Sequence, residues 1–503
     1  MANHLYDHLF APHRANPAPF LKRDGLADLS YAAFIQAAAQ MAHVLVRAGL
    51  APGDRIVVQA PKCAEMVMLY AATVQAGGVF LPLNTAYTGD EVRYFVEDAT
   101  PRLIVCSSAK ASDMAALAAD VGAQILTLDA DGTGTLTDGL DGMPAAFDTI
   151  ARDPDDLAGL LYTSGTTGRS KGAMMSHDNL LSNAQSLVDL WQITRQDILV
   201  HALPIFHTHG LYVALNTSLL AGACVNFMPT FDLDRILTAL PDATMMMGVP
   251  TFYTRLLGSP DLTAERVANM RLFVSGSAPL LAETHEAFTS RTGHAILERY
   301  GMTETNMNTS NPFDGERRPG TVGFPLPGVD LRITDPDTGT ALPQGEIGMV
   351  EVRGRNVFGG YWKMPEKTKA ELRDNGFFIT GDLGQLSDDG YLSIVGRAKD
   401  LIITGGYNVY PKEIEDVLND HPGVLESAVF GVPDADFGEA IIAAIVPEPG
   451  ATVDADAIAA IVGEKFARFK HPRRYDVMTE LPRNTMGKVQ KNVLRDRFAQ
   501  ENA

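Results

Sequence analysis

Short, fully apolar runs alternate with stretches of helical spacing through the first two-thirds of this chain, and that alternation most restricts its fold. Residues 55–60 (Arg-Ile-Val-Val-Gln-Ala) read as a buried strand. Residues 65–76 follow as a helix, stopped by Gly77 and Gly78. Residues 103–106, 198–200, 245–247 and 272–274 read as further short buried strands. Leu180, Leu181, Ala184, Leu187, Val188 and Trp191 mark one face of a helix. Strand and helix in alternation predict an α/β architecture of layered, mainly parallel sheets.

From about residue 321 the texture changes: Gly and Pro become dense, and residues 348–353 read as a short strand, which predicts a β-rich subdomain over about 321–396. A helix at 411–418, strands at 427–430 and 440–446, and a helix at 455–466 predict a small α+β domain after Arg397. The expected division is therefore a large N-terminal domain, 1–397, and a C-terminal domain, 398–503. With 503 residues the chain is too long for one hydrophobic core.

The net charge of −20 argues against non-specific nucleic-acid binding and against an anionic membrane surface. Any anionic substrate then needs a local basic pocket. No run reaches the roughly 18 apolar residues of a membrane span, and the first residues lack the apolar core of a signal peptide. Cys63, Cys106 and Cys224 are dispersed, as in a protein of a reducing compartment without a structural metal. A cytoplasmic location is the expectation.

The chemistry concentrates in Leu161-Tyr-Thr-Ser-Gly-Thr-Thr-Gly-Arg-Ser-Lys-Gly172, which follows a strand-like run. Its glycines allow close backbone approach, and its hydroxyls and lysine suit a polyphosphate. It is not a Walker loop, because Ser170 precedes Lys171 and Gly172 follows it. Further along stand Tyr300-Gly-Met-Thr-Glu304, Thr380-Gly-Asp382, Gly396-Arg-Ala-Lys-Asp400 with Gly405-Gly-Tyr-Asn408, and Pro482-Arg-Asn-Thr-Met-Gly-Lys488. Together and in this order they resemble the signature motifs of the adenylate-forming family of acyl-CoA synthetases, luciferases and peptide-synthetase adenylation domains. The resemblance spans nearly the whole chain.

The resemblance implies a reaction in two halves with ATP, Mg²⁺ and CoA. Thr163, Ser164, Gly165, Thr166, Thr167 and Lys171 correspond to the β- and γ-phosphate cradle. Tyr300 corresponds to the residue packed on adenine, with Ser277, Ala278 and Glu298 beside the nucleotide. Thr303 corresponds to the α-phosphate contact and Glu304 to the Mg²⁺ ligand. A lone carboxylate suffices for Mg²⁺, which takes its other ligands from phosphates and water. Asp382 and Arg397 correspond to the pair on the ribose hydroxyls. Lys488 corresponds to the lysine that bridges the attacking carboxylate and the α-phosphate. Lys399 stands at the family's hinge, where many relatives have Asp, and implies a mobile C-terminal domain. After rotation that domain would present Gly405 and Gly406 to the pantetheine tunnel. Acetylation of Lys488 by a lysine acetyltransferase, reversed by a deacetylase, is a regulation that the resemblance also implies. The basic cluster at 469–474 suits CoA phosphates or is a solvated face.

Arg299 sets the expected acyl substrate. Relatives acting on aryl or fatty acids usually carry a small residue before the Tyr-Gly-Met-Thr-Glu motif. A guanidinium there suits a second carboxylate and penalises an apolar acid. His207 and Ser277 add polar groups, and Thr208 and Met307 are walls near the α-carbon. These features resemble the malonate-activating members of the family. The expectation is ligation of malonate, to give malonyl-CoA, AMP and pyrophosphate, with acceptance of methylmalonate left to the walls at Thr208 and Met307. Another short dicarboxylic acid or an aromatic acid is the alternative, and from another class a silent adenylate-binding regulator. Arg299 could instead form a structural salt bridge to Glu298 or Glu304.

Overall fold

A computed structural model of the protein describes residues 2–163, 170–405, 407–434, 436–484 and 487–501. It separates into two compact units. The first comprises Met1–Pro319, Gly323–Asp330 and Val352–Phe378; the second comprises Gly320–Val322, Leu331–Glu351 and Ile379–Ala503.

Two sheets organise the first unit. In the six-stranded sheet the spatial order is Gln124–Thr127, Leu103–Cys106, Arg55–Gln59, Val79–Pro82, Leu157–Thr163 and Lys171–Ser176. The first five run parallel and the last antiparallel. Thr163 pairs with Lys171 across the final hairpin. In the nine-stranded sheet Leu272–Ser275, Met245–Gly248, Ile198–His201, Cys224–Phe227 and Pro19–Lys22 lie side by side and parallel. Leu297–Met302 adds to Leu272–Ser275 in parallel, then turns back antiparallel as Asn306–Ser310. Parallel strands are buried on both faces, so they read as continuous apolar runs, as Met245, Met246 and Met247 do.

The helices carry the apolar spacing seen in the sequence. His177–Leu190 starts at a capping box made by Ser176 and Asn179 and buries Leu180, Leu181, Ala184 and Leu187. Trp191, fully buried after it, donates its indole N–H to Ser310 Oγ at 2.9 Å. Ala64–Gln75 is apolar all round and correspondingly buried. His209–Leu215 forms a π-helical segment, a rare geometry that is frequent at functional sites.

In the second unit Phe378–Leu386 and Leu392–Arg397 form an antiparallel pair, so Asp382 lies opposite Arg397. They belong to a four-stranded sheet with Val329–Thr334 and Gly348–Gly354. The last hundred residues build an α+β layer in which Val424–Asp434 and Gly438–Pro447 form a long hairpin. Arg474–Val477 joins that hairpin in parallel. Pro411–Asn419 and Ala455–Lys465 cover one face and bury Ile414, Leu418, Ile458 and Val462. No described helix is long and apolar enough to cross a membrane.

Candidate functional site

The acyl-pocket candidates gather at the C-terminal ends of the parallel strands, where open α/β sheets place ligands. Arg299 sits on Leu297–Met302, in the buried first half of that strand, and is itself only 3% exposed. Its guanidinium packs against the backbone of Gly276: a Cβ built on that glycine would come 2.4 Å from Arg299 Cζ. Among the described residues its Nε and Nη2 have no hydrogen-bond partner, and no carboxylate pairs with it. The salt bridge to Glu298 or Glu304 weighed from sequence is therefore absent there. Burial pushes the guanidinium down to about 9, with only the Tyr253 phenol opposing. A buried cation without a counterion costs about 3–5 kcal/mol, so the pocket gains from any anion that enters it.

His209 and Ser277 lie beside that cation. His209 is 1% exposed; its Nδ1 lies 3.2 Å from Ser277 Oγ, and its Nε2 has no partner among the described residues. Burial first, then the charge of Arg299, holds this imidazole well below its ordinary range and therefore neutral. Thr208, 2% exposed, has a buried hydroxyl likewise without a partner. Ser277 holds a left-handed backbone at φ 71°, a strained state for serine that clusters at functional sites. Met307 is buried, and Asn183 Nδ2 donates to its carbonyl at 2.8 Å.

The sequence points to His207 for this wall, and the fold also brings the second histidine of His-Thr-His, His209, against Ser277. His207 lies half-buried two residues earlier, its Nδ1 accepting from the backbone N–H of His209 at 3.4 Å.

The Tyr300-Gly-Met-Thr-Glu304 motif forms the end of one strand and a tight turn before Asn306–Ser310. Gly301 permits that turn, because a Cβ there would meet Asn306 O at 1.9 Å. Tyr300, half-buried, pairs in register with Thr309, and Thr303 lies at the turn. Glu298 is buried, and its carbonyl accepts from Asn311 N at 3.0 Å. Ala278 follows Ser277, half-buried.

Glu304, also buried, reaches a residue that the sequence reading did not single out. Tyr361 OH lies 3.0 Å from Glu304 Oε1 and 2.6 Å from Glu371 Oε2. Lys171 Nζ donates to Tyr361 OH at 3.1 Å and pairs with Glu371 at 3.3 Å. Burial opposes ionisation of Glu371, yet Lys367, Tyr361 and Lys171 together hold its carboxyl below the usual range. Burial and the two carboxylates push the Tyr361 phenol strongly up, so it stays protonated. Two motifs far apart in sequence thus meet through one phenol.

The loop candidates Ser164, Gly165, Thr166 and Thr167 lie outside the described residues, as does Gly406. Thr163 and Lys171 flank the first group on paired strands.

Within the second unit Arg397 Nε lies 2.7 Å from Asp382 Oδ1, and Asp382 is buried. Asp382 N donates to Thr380 Oγ1 at 3.1 Å within the strand Phe378–Leu386. Lys399 stands in the short turn Ala398–Asp400, whose Asp400 pairs with Arg495 at 2.9 Å. Gly405 has φ 56° and its N–H donates to Phe437 O at 2.8 Å. Lys488 is exposed, and its N–H donates to Asn484 Oδ1 at 3.0 Å.

Comparison with known proteins gives one consistent family. A family model described as AMP-binding enzyme matches residues 11–362, and one described as AMP-binding enzyme C-terminal domain matches residues 413–488. The crystal structure of ATP-bound MatB from Rhodopseudomonas palustris is 56% identical, with all of both chains covered and a TM-score of 0.98. A malonate–CoA ligase of Arabidopsis thaliana is 35% identical over 480 residues, which cover 89% of this chain and 80% of that relative. A feruloyl-CoA synthase of an Amycolatopsis species is 33% identical, covering 96% of this chain and 97% of that relative.

Proposed function

Because the chain belongs to the AMP-binding enzyme family, we propose that it joins malonate to CoA through malonyl-AMP, with methylmalonate as second substrate. One observation carries this reading: the buried guanidinium of Arg299, without a counterion among the described residues, in a wall of Ser277, Thr208 and His209. One carboxylate of malonate would pair with Arg299 and offset its desolvation, leaving the other to react. An aromatic acid such as that of the feruloyl relative would leave the charge unpaired.

In the first half-reaction a carboxylate oxygen attacks the α-phosphorus of ATP, and the bond to the β-phosphate oxygen breaks to release pyrophosphate. Thr303 would contact the α-phosphate, and Lys488 would neutralise charge as it develops on the attacking and α-phosphate oxygens. Tyr300 would pack on adenine beside Ala278 and Glu298, and Asp382 with Arg397 would hold the ribose hydroxyls. Lys171 would reach the terminal phosphates with Thr163, Ser164, Gly165, Thr166 and Thr167.

The residues present fit Mg²⁺: Glu304 is a buried carboxylate fixed by a phenol. No cluster of three or more metal-binding side chains forms among the described residues, so Glu304 would hold the ion together with phosphate oxygens. The ion would shield phosphate charge. In the second half-reaction the CoA sulfur displaces AMP from the acyl carbon and the thiol proton is lost. Turning at Lys399 would exchange Lys488 for the loop at Gly405 and Gly406. Acetylation of Lys488 would remove the charge used in the first half-reaction alone.

The test is isotope exchange between pyrophosphate and ATP, driven by malonate without CoA. Exchange that depends on malonate supports the reading. Absence of exchange with folded, ATP-binding protein would end it and favour a silent nucleotide-binding role.

A further inference from the structure

Lys62 lies in the connection between Arg55–Gln59 and Ala64–Gln75, outside every motif that the reaction uses. Its ammonium makes three hydrogen bonds: to His201 Nδ1 at 2.9 Å, to His201 O at 3.0 Å and to Leu203 O at 2.8 Å. All three acceptors are neutral. No carboxylate pairs with this lysine among the described residues, and its nearest aromatic face, Phe227, lies 4.5 Å away. An ammonium has three donors, and here each is spent on the segment that leaves the strand Ile198–His201.

The lysine also fixes the histidine that it binds. Because Lys62 can only donate, His201 Nδ1 must accept, so the ring proton sits on Nε2. Nε2–H then donates to Gly210 O at 2.8 Å. One lysine and one imidazole thereby tie both ends of residues 201–210, and Thr208 and His209 lie between the ties. The loop is closed tightly besides: a Cβ on Gly210 would meet Pro204 O at 2.0 Å. The π-helical segment His209–Leu215 starts within the last two residues of this loop.

A buried ammonium without a counterion costs several kcal/mol in effective desolvation, and three carbonyl or imidazole acceptors offset only part of that. Packing alone would be served better by methionine. We propose that Lys62 is a positioning residue of the acyl pocket: through the His201 tautomer it sets the loop that places Thr208 and His209 opposite Arg299. The proposal rests on the reading of that wall as the acyl pocket. The cation also keeps His201 neutral, because burial first and then the Lys62 charge push that imidazole down to about 3.

The experiment uses full-length Lys62→Met and His201→Gln beside the unsubstituted protein. The KM for malonate is expected to rise at least tenfold in Lys62→Met, with the KM for ATP within twofold. ¹⁵N spectra of histidine-labelled protein should show His201 as the Nε2–H tautomer in the unsubstituted protein and a protonated Nδ1 in a substantial fraction of Lys62→Met. Equal rises in both KM values, or no rise in either, would overturn the proposal, as would an unchanged His201 tautomer. If Lys62→Met does not fold, His201→Gln breaks the same tie from the other side and must show the same split between the two KM values. Should the protein activate another acid, that acid replaces malonate in the comparison. The tautomer is independent of the acid, so failure of the substrate assignment and failure of the positioning role stay distinguishable.

Discussion

The guanidinium of Arg299 occupies the space that a side chain on Gly276 would need: a Cβ there would come 2.5 Å from Nη1 and 2.4 Å from Cζ. Glycine at one position and arginine at the other are thus one feature. Arg299→Met should lower kcat/KM for malonate by roughly 100-fold or more, the equivalent of about 3–5 kcal/mol for a desolvated charge pair. The KM for ATP should stay within threefold. Because the free protein carries this charge unpaired, the variant should melt at the same temperature or higher without ligand. Malonate use within threefold of the original would contradict the role.

Gly301→Ala tests the motif turn. A methyl group 1.9 Å from Asn306 O cannot fit without backbone movement, and overpacking of this kind costs about 1–3 kcal/mol. The expected result is a lower unfolding midpoint in urea together with loss of malonate-driven pyrophosphate exchange. Unaltered stability and exchange would show that the turn is more compliant than its geometry.

Tyr361→Phe removes the hydroxyl shared by Glu304 and Glu371. The phenyl ring keeps the packing, so the fold should persist. The Mg²⁺ concentration for half-maximal exchange should rise by about tenfold, the scale of losing a group that orients a metal ligand. An unchanged Mg²⁺ requirement would remove Tyr361 from the site.

His177 gives a pH prediction. Its Nδ1 accepts from Leu5 N at 3.3 Å, and burial, then Arg152, pushes the imidazole down to about 4. The unfolded chain takes up a proton near the ordinary value of about 6.5, before the folded one does. Stability is therefore whole above that pH. It falls by up to about 1.4 kcal/mol per pH unit between the two values and levels off below the lower. His177→Asn keeps an acceptor for Leu5 N and should flatten this part of the profile of unfolding free energy against pH. An equally steep profile in the variant would place the acid sensitivity elsewhere.

Much of the architecture was legible because parallel strands are dry on both faces. Runs such as Ile104, Val105 and Cys106 have no other use. Pro19–Lys22 was not legible: it is four residues long and pairs with Cys224–Phe227, about two hundred residues on. Local pattern carries no information about such a partner. Arg299 stood out because a charge precedes the Tyr-Gly-Met-Thr-Glu motif, where relatives usually carry a small residue. His209 and Lys62 did not stand out. Each depends on how the loop at 201–210 closes, and a π-helical segment has no apolar period to announce it. Tyr361 and Glu371 were missed for a similar reason, since their tie to Glu304 and Lys171 exists only in three dimensions.

The most direct measurement compares kcat/KM for malonate with that for propionate, which replaces the second carboxylate by a methyl group at nearly the same size. 4-Coumarate extends the comparison to aromatic acids, with AMP formation followed in the presence of ATP, Mg²⁺ and CoA. The account predicts that malonate leads both by at least 100-fold, the scale of about 3 kcal/mol for pairing a buried charge. Equal or better use of propionate or 4-coumarate would contradict it and make Arg299 a structural cation.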